Sequence, residues 1–277
     1  MGKGRPASKS KVVSGVVLIV LGVVILGSVL TMQSSEKPVV KNSEMLADGL
    51  GHVVSSGEVE YFDGTSGFLA EPEAEGVYPG VIMIHEWWGL NDGIKDTAVQ
   101  LASKGYVVLA VDLYDGKVAA TPQEARNLTS SLDKERAVAN MRAAASYLRS
   151  EHGAPKVASL GWCFGGGQSM QLALSDEEVD ATVIYYGSLV TDEEALSSIE
   201  QPVLGIFGGN DTSIPVSTVM EFDSALDSVG VENEIYIYDG VGHAFANPSG
   251  MNYAPDETRD AWLKTVAFLE RHLKSGA

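Results

Sequence analysis

The chain has 277 residues, 45% of them hydrophobic, with 30 glycines, 10 prolines and a formal net charge of −18. That length and composition suit a large folded core and argue against disorder, while the single cysteine excludes an intrachain disulfide. An excess of 37 acidic over 19 basic residues repels phosphates, so nucleic acid is not an expected partner.

Lys3, Arg5, Lys9 and Lys11 precede every acidic residue, and no charge follows from Val12 to Ser35. The run "VVSGVVLIVLGVVILGSVLTM" is almost wholly apolar, and about 20 such residues cross a bilayer as a helix. The basic residues upstream place that end in the cytoplasm and the remainder outside. The expected layout is a cytoplasmic basic tail over 1–11, a single transmembrane anchor over 12–35, a polar tether over 36–57 and an extracytoplasmic folded domain over 58–277. A cleaved signal peptide, leaving a secreted protein, is the alternative. Against it stand the long apolar region, the absence of a small-x-small site and the absence of a nearby cysteine to take a lipid.

Past the tether, "EVEYF" and "SGFLA" flank the turn dipeptide Asp63-Gly64 and predict an antiparallel hairpin. "GVIMIHE" and "YVVLAVDLY" are continuous apolar runs, as strands buried on both faces require, with a helix from Gly93 to Ser103 between them. Helical stretches span Pro122 to Ser150, starting on Thr121-Pro122. "KVASLG", a helix after Gly165, "ATVIYYG", a short acidic helix and "VLGIFG" follow. A helix from Val216 to Val229, the strand "EIYIYD" and a last helix from Pro255 to Leu273 complete the order, the last with Trp262, Val266 and Leu269 on its apolar face. Strands alternating with helices predict an α/β fold, a mostly parallel central sheet with helices on both faces. In such sheets ligands bind beyond the carboxyl ends of the strands.

Gly161-Trp162-Cys163-Phe164-Gly165 fits G-x-nucleophile-x-G, with cysteine where serine is usual. The motif makes a sharp strand-to-helix turn, and side chains at its two glycines would collide with the neighbouring strand and helix. The helix that follows points its N-terminus at the sulfur and favours the thiolate. A phosphate-binding loop would need a lysine followed by serine or threonine, which is missing.

The motif calls for an acid and then a histidine at later strand ends. Asp211 follows "VLGIFG" and His243 follows "EIYIYD". Of the other histidines, His52 lies near the tether, His152 before a glycine turn, His272 near the C-terminus, and His85 beside a residue with a stronger claim. That residue is Glu86, directly after the first buried strand, where the second oxyanion-hole donor arises. A carboxylate there has two possible jobs: holding a thiol protonated until substrate arrives, or accepting its proton. Trp87, Trp88, Tyr186 and Phe245 are candidate walls of a small pocket. No metal site is expected, because "HEWWG" lacks the second histidine of H-E-x-x-H and no other ligand cluster occurs.

"HEWWGLN", "GYVVLAVDLYDGKVA", "GWCFGGG", "YYG" and "GHAFAN" together resemble the dienelactone hydrolase family, of the α/β-hydrolase fold, from about Val59 to Leu273. The resemblance implies Cys163 as nucleophile, His243 as base, Asp211 as its orienter and Glu86 as the carboxylate that takes the thiol proton. It implies an oxyanion hole from the backbone N–H groups of Phe164 and Trp87, a small ester or enol-lactone substrate, and no cofactor. Members carry a substrate-binding arginine four residues after the histidine, where this chain has Asn247, and a serine directly after it, where this chain has Ala244. For a second arginine of that kind, Arg126 is the candidate. A broad acyl hydrolase or thioesterase with the same triad, or an idle binding module that keeps the fold, are the alternatives.

Overall fold

The computed structural model describes residues 51–175 and 179–274. The predicted basic tail and membrane anchor, and the tether up to residue 50, lie outside the described residues. Among the described residues no helix is long and apolar enough to cross a membrane.

The expected hairpin forms from β1 (Val54–Phe62) and β2 (Thr65–Pro72), turning at Asp63-Gly64. β1 therefore begins inside the predicted tether. Ser55, Ser56 and Gly57 are exposed and Val54 is half-buried against the core, and the backbone of 54–57 pairs with residues 69–72 of β2, so sheet hydrogen bonding extends the strand. The parallel strands are β3 (Gly80–Ile84), β4 (Val107–Val111), β5 (Val157–Trp162), β6 (Ala181–Tyr185), β7 (Val203–Gly208) and β8 (Asn233–Tyr238). All eight join one sheet in the order β1-β2-β4-β3-β5-β6-β7-β8, antiparallel only at the β1–β2 and β2–β4 pairings. This is the predicted α/β-hydrolase-like architecture.

Every residue of β3 to β7 is buried. Their mostly apolar side chains, with Ser159 and Thr182 the polar exceptions, feed both faces in alternation. Val81 and Met83 pack with Ala98 and Leu101 of α1 (Asp92–Ala102) and with Phe268 of α7 (Pro255–Leu269). Ile82 and Ile84 pack on the other face against Met141, Ala144 and Leu148 of α3 (Lys134–His152). The remaining helices are α2 (Pro122–Ser130), α4 (Phe164–Ala173), the short α5 (Glu193–Leu196) and α6 (Val216–Val229). A π turn over Glu270–Lys274 extends α7.

α7 departs from its expected face. Ala261, Thr265, Phe268 and Leu269 are buried, whereas Trp262 and Val266 are only half-buried. Small side chains at 261 and 265 let the helix approach the sheet until Thr265 Oγ1 meets the buried Tyr185 hydroxyl at 2.6 Å. Hydrophobicity alone does not report that polar contact.

A second buried polar knot ties the hairpin to the catalytic end of the sheet. The Tyr61 hydroxyl donates to Asn140 Oδ1 at 2.5 Å and accepts from the Asp112 N–H at 3.2 Å, while Asn140 Nδ2 donates to the Asp112 carbonyl at 3.0 Å. Asn140→Ala would orphan both partners and is expected to cost about 2–4 kcal/mol in urea unfolding. A loss below about 0.5 kcal/mol would show that the knot adds nothing to stability.

Candidate active site

β3 lies between β4 and β5, so the chain leaves it on one side and returns on the other. Such a reversal opens a crevice at the carboxyl ends of the strands. Ile84 is paired with Gly161, and Glu86 and Cys163 each stand two residues beyond that pair. Gly208 is paired with Tyr238, and the loops that follow carry Asp211 and His243. Register thus delivers four residues, far apart in sequence, to one end of the sheet.

The turn at Cys163 has the strained geometry its motif predicts, with φ 54° and ψ −114°. A Cβ on Gly161 would lie 2.1 Å from the Gly165 carbonyl oxygen, and one on Gly165 would lie 2.3 Å from that of Ile84. Only glycine permits that approach, and the strained non-glycine backbone between them costs about 1–3 kcal/mol. The Cys163 N–H donates to the Tyr185 carbonyl at 2.9 Å, and its carbonyl accepts from Gly167 N–H at 3.1 Å.

His243 Nε2 lies 3.1 Å from Cys163 Sγ, and His243 Nδ1 lies 2.8 Å from Asp211 Oδ2. The other carboxylate oxygen of Asp211 accepts from the Ser213 and Ile214 N–H groups at 2.7 and 3.0 Å. Asp211 accepts throughout, so the imidazole carries its proton on Nδ1 and turns the Nε2 lone pair toward the sulfur. Asn252 Nδ2 donates to the His243 carbonyl at 2.9 Å, and the Tyr186 ring packs edge-on against the imidazole at 5.3 Å. The backbone N–H groups of Phe164 and Trp87 act on the sulfur in the sense that favours its charged form.

Glu86 is buried and, among the described residues, makes no salt bridge. One oxygen accepts from Asn247 Nδ2, and the other, Oε1, has no partner. Burial pushes its carboxyl up to about 7, against the smaller opposing effect of the Asn247 amide. Burial likewise pushes the Cys163 thiol up to about 12, with the Glu86 charge adding to the rise. The helix N-terminus was expected to favour the thiolate. Its contribution is about 2 kcal/mol at most, whereas a rise from 9.0 to about 12 reflects a net opposition of about 4 kcal/mol. In the free protein, therefore, the sulfur is a neutral thiol.

His85 has a role that its sequence position did not reveal. It is fully buried, donates from Nδ1 to the Glu86 carbonyl at 2.6 Å and accepts at Nε2 from the Leu113 N–H at 3.2 Å. Both nitrogens are committed, and burial lowers its pKa, so it is a neutral strut between the ends of β3 and β4. Its one legible signal was a polar residue continuing an apolar strand.

Tyr186 and Phe245 are buried and in ring contact with each other at 5.6 Å. Trp87 and Trp88 are half-buried, with ring centroids 5.0 Å apart. Arg126 is not brought into the cluster. It is exposed on α2 and donates to Gln123 of its own helix at 3.3 Å, because the α2 face that packs inward is the one carrying Ala125. A cavity of about 160 Å³ between the β4–α2 loop and α3, lined by Tyr114, Lys117, Asp133 and Arg136 among others, includes none of Cys163, His243, Asp211 and Glu86. Among the described residues no group of three or more His, Cys, Asp or Glu side chains could hold a metal ion.

Glu86 supplies a pH test. Its carboxyl is raised in the fold from 4.5 to about 7, so the unfolded chain loses this proton first and the ionised group opposes folding as pH rises through that window. Glu86→Gln should therefore stabilise the protein more at pH 8 than at pH 5, by about 2 kcal/mol in denaturant unfolding. An equal effect at both pH values would refute a buried, titrating carboxyl.

Comparison with known proteins identifies the family. The family model for the dienelactone hydrolase family matches residues 65–273. The chain is 34% identical over 243 residues to a "Putative carboxymethylenebutenolidase" of Saccharolobus solfataricus, covering 74% of this chain and 93% of that one. It is 33% identical over 217 residues to "Protein usf" of Aquifex pyrophilus, covering 75% and 93% respectively. A solved structure from Klebsiella pneumoniae, described as a "Putative Dienelactone Hydrolase", superposes with a TM-score of 0.70 at 26% identity, covering 79% of this chain and all of that one. The match runs from the second strand of the hairpin through the whole parallel sheet and the helices into the π turn, so the chain belongs to the dienelactone hydrolase family.

Proposed function

We propose that this member of the family hydrolyses carboxylic esters or lactones with Cys163 as nucleophile, His243 as base and Asp211 as the residue that orients it. The observation that carries this reading is the unbroken relay from Asp211 through His243 to Cys163, at 2.8 and 3.1 Å. A binding module has no need for that relay.

In this mechanism the buried thiol becomes reactive only when a substrate enters. Its proton passes to Glu86, whose Oε1 has no other partner and whose carboxyl, raised to about 7, both accepts and returns a proton near neutrality. The sulfur attacks the carbonyl carbon, and the oxyanion is held by the N–H groups of Phe164 and Trp87. The C–O bond breaks, the thioester remains on Cys163, and the departing oxygen recovers the proton from Glu86. His243 then takes a proton from water as the water attacks the thioester. The acid leaves, and the imidazolium returns its proton to the thiolate. Asp211 stabilises the imidazolium and holds its tautomer throughout.

The proposal includes a location. The uncharged run from Val12 to Ser35, with four basic residues before it, anchors the chain in the cell membrane with the hydrolase domain outside. The chain enters the domain at the end of the sheet opposite the catalytic loops. Val54 pairs with Pro72, and Ala70 of the same strand pairs with Val108 at the start of β4.

The full-length protein should release p-nitrophenol from p-nitrophenyl acetate and open an enol-lactone, and Cys163→Ala should lose at least about 10³-fold of that rate. Equal, negligible rates in both proteins, with Cys163 shown to be reduced by thiol titration, would leave an idle binding module instead. For the location, the protein should sediment with membranes after carbonate washing and be cut by protease added outside spheroplasts. Recovery in the soluble cytoplasmic fraction would overturn the anchor.

A further inference from the structure

The side chains gathered at the catalytic end carry negative charge or none. Glu86 and Asp211 are buried carboxyl groups, and Asn247, the one side chain bonded to Glu86, is a neutral amide. Tyr186, Phe245 and Trp87 add aromatic surface. Among the described residues, no lysine or arginine makes a hydrogen bond or ion pair with Glu86, Cys163, Asp211, His243 or Asn247. Arg126 of α2 and Arg136 of α3 are engaged elsewhere. Arg126 bonds Gln123, and Arg136 pairs with Asp115 at 3.0 Å while lying over the Phe62 ring. Lys117 lines the separate cavity together with Asp115 and Asp133.

We infer that this site selects an ester whose acyl part is uncharged, and that the Glu86–Asn247 pair is what excludes acyl groups bearing a carboxylate. The inference rests on the ester-hydrolase reading above and specifies its substrate class. A substrate carboxylate seated beside Cys163 meets a buried carboxyl and no counter-ion. Taken out of water, such a charge needs a cation or several strong donors. The one side-chain donor bonded to Glu86 is the Asn247 amide, already committed to that carboxyl. An uncharged acyl chain meets no such barrier and gains from contact with the aromatic walls.

Two esters of nearly equal size separate charge from shape: p-nitrophenyl hydrogen glutarate, an anion, and its neutral methyl ester, p-nitrophenyl methyl glutarate. With the spontaneous rate subtracted, the full-length protein should hydrolyse the neutral ester with a kcat/KM about 10- to 100-fold higher. Asn247→Arg places a cation against Glu86 and should shrink that ratio by about tenfold or more. Equal rates on the two esters, or preference for the anion, overturn the inference while leaving the hydrolase reading intact. A ratio unmoved by Asn247→Arg in a folded variant overturns the assignment to the Glu86–Asn247 pair. If neither ester is cleaved by protein with a titratable thiol, the hydrolase reading itself fails and the substrate class falls with it.

Discussion

The candidate site of this protein depends on one close approach of backbone to backbone. Between Gly161 and Gly165 the chain leaves β5 and enters α4 so tightly that a single added carbon at either glycine would overlap a carbonyl group. That contact forces Cys163 to a positive φ and lifts its side chain off the sheet. It also fixes the Phe164 N–H beside the sulfur and seats α4 against β5 and β6. Shape complementarity among main-chain atoms is paid for here by strain at Cys163, and the surrounding sheet makes the strain tolerable. Gly187, after β6, repeats the same device where it meets Gly166.

Electrostatics then decide what the turn can do. A helix N-terminus alone would ease ionisation of the thiol, but desolvation and the Glu86 carboxyl act in the opposite sense and are larger. The resting sulfur is consequently protected, because the thiolate is the species that oxidises and alkylates. Glu86 is itself held far from its solution behaviour by burial, with an amide rather than a cation as its partner. A cation at that position would keep the carboxyl ionised and attract anionic substrates; an amide does neither as strongly.

Positioning at this end comes from a layer of buried polar groups beneath the reactive ones. His85 bridges the ends of β3 and β4 through both ring nitrogens, and its ring lies near those of Tyr114 and Phe164 at 4.8 and 5.8 Å. Asp112 folds back to accept from the Tyr114 and Gly116 N–H groups, so the loop after β4 is held by its own carboxylate. These contacts, together with the Tyr61–Asn140 bond, convert strand register into fixed loop geometry. Reactive groups held this way need little reorganisation when substrate arrives.

The order of elements was legible in the sequence because period and composition are local properties. Unbroken apolar runs marked β3 and β4, Asp63-Gly64 marked the hairpin turn, and Thr121-Pro122 marked the start of α2, where the threonine indeed caps the helix. The Cys163, Asp211 and His243 constellation was legible too, because a strand-end motif constrains both the order and the spacing of its partners. Tertiary structure alone decided the rest. Whether Glu86 meets a cation or an amide depends on which loop crosses it, and that Arg126 faces solvent depends on how α2 rotates. The state of the thiol depends on burial, which adds up over neighbours from β3, β5 and the loop after β8. None of these is a property of a short stretch of chain, since charge, distance and solvent access are set only when the strands come into register.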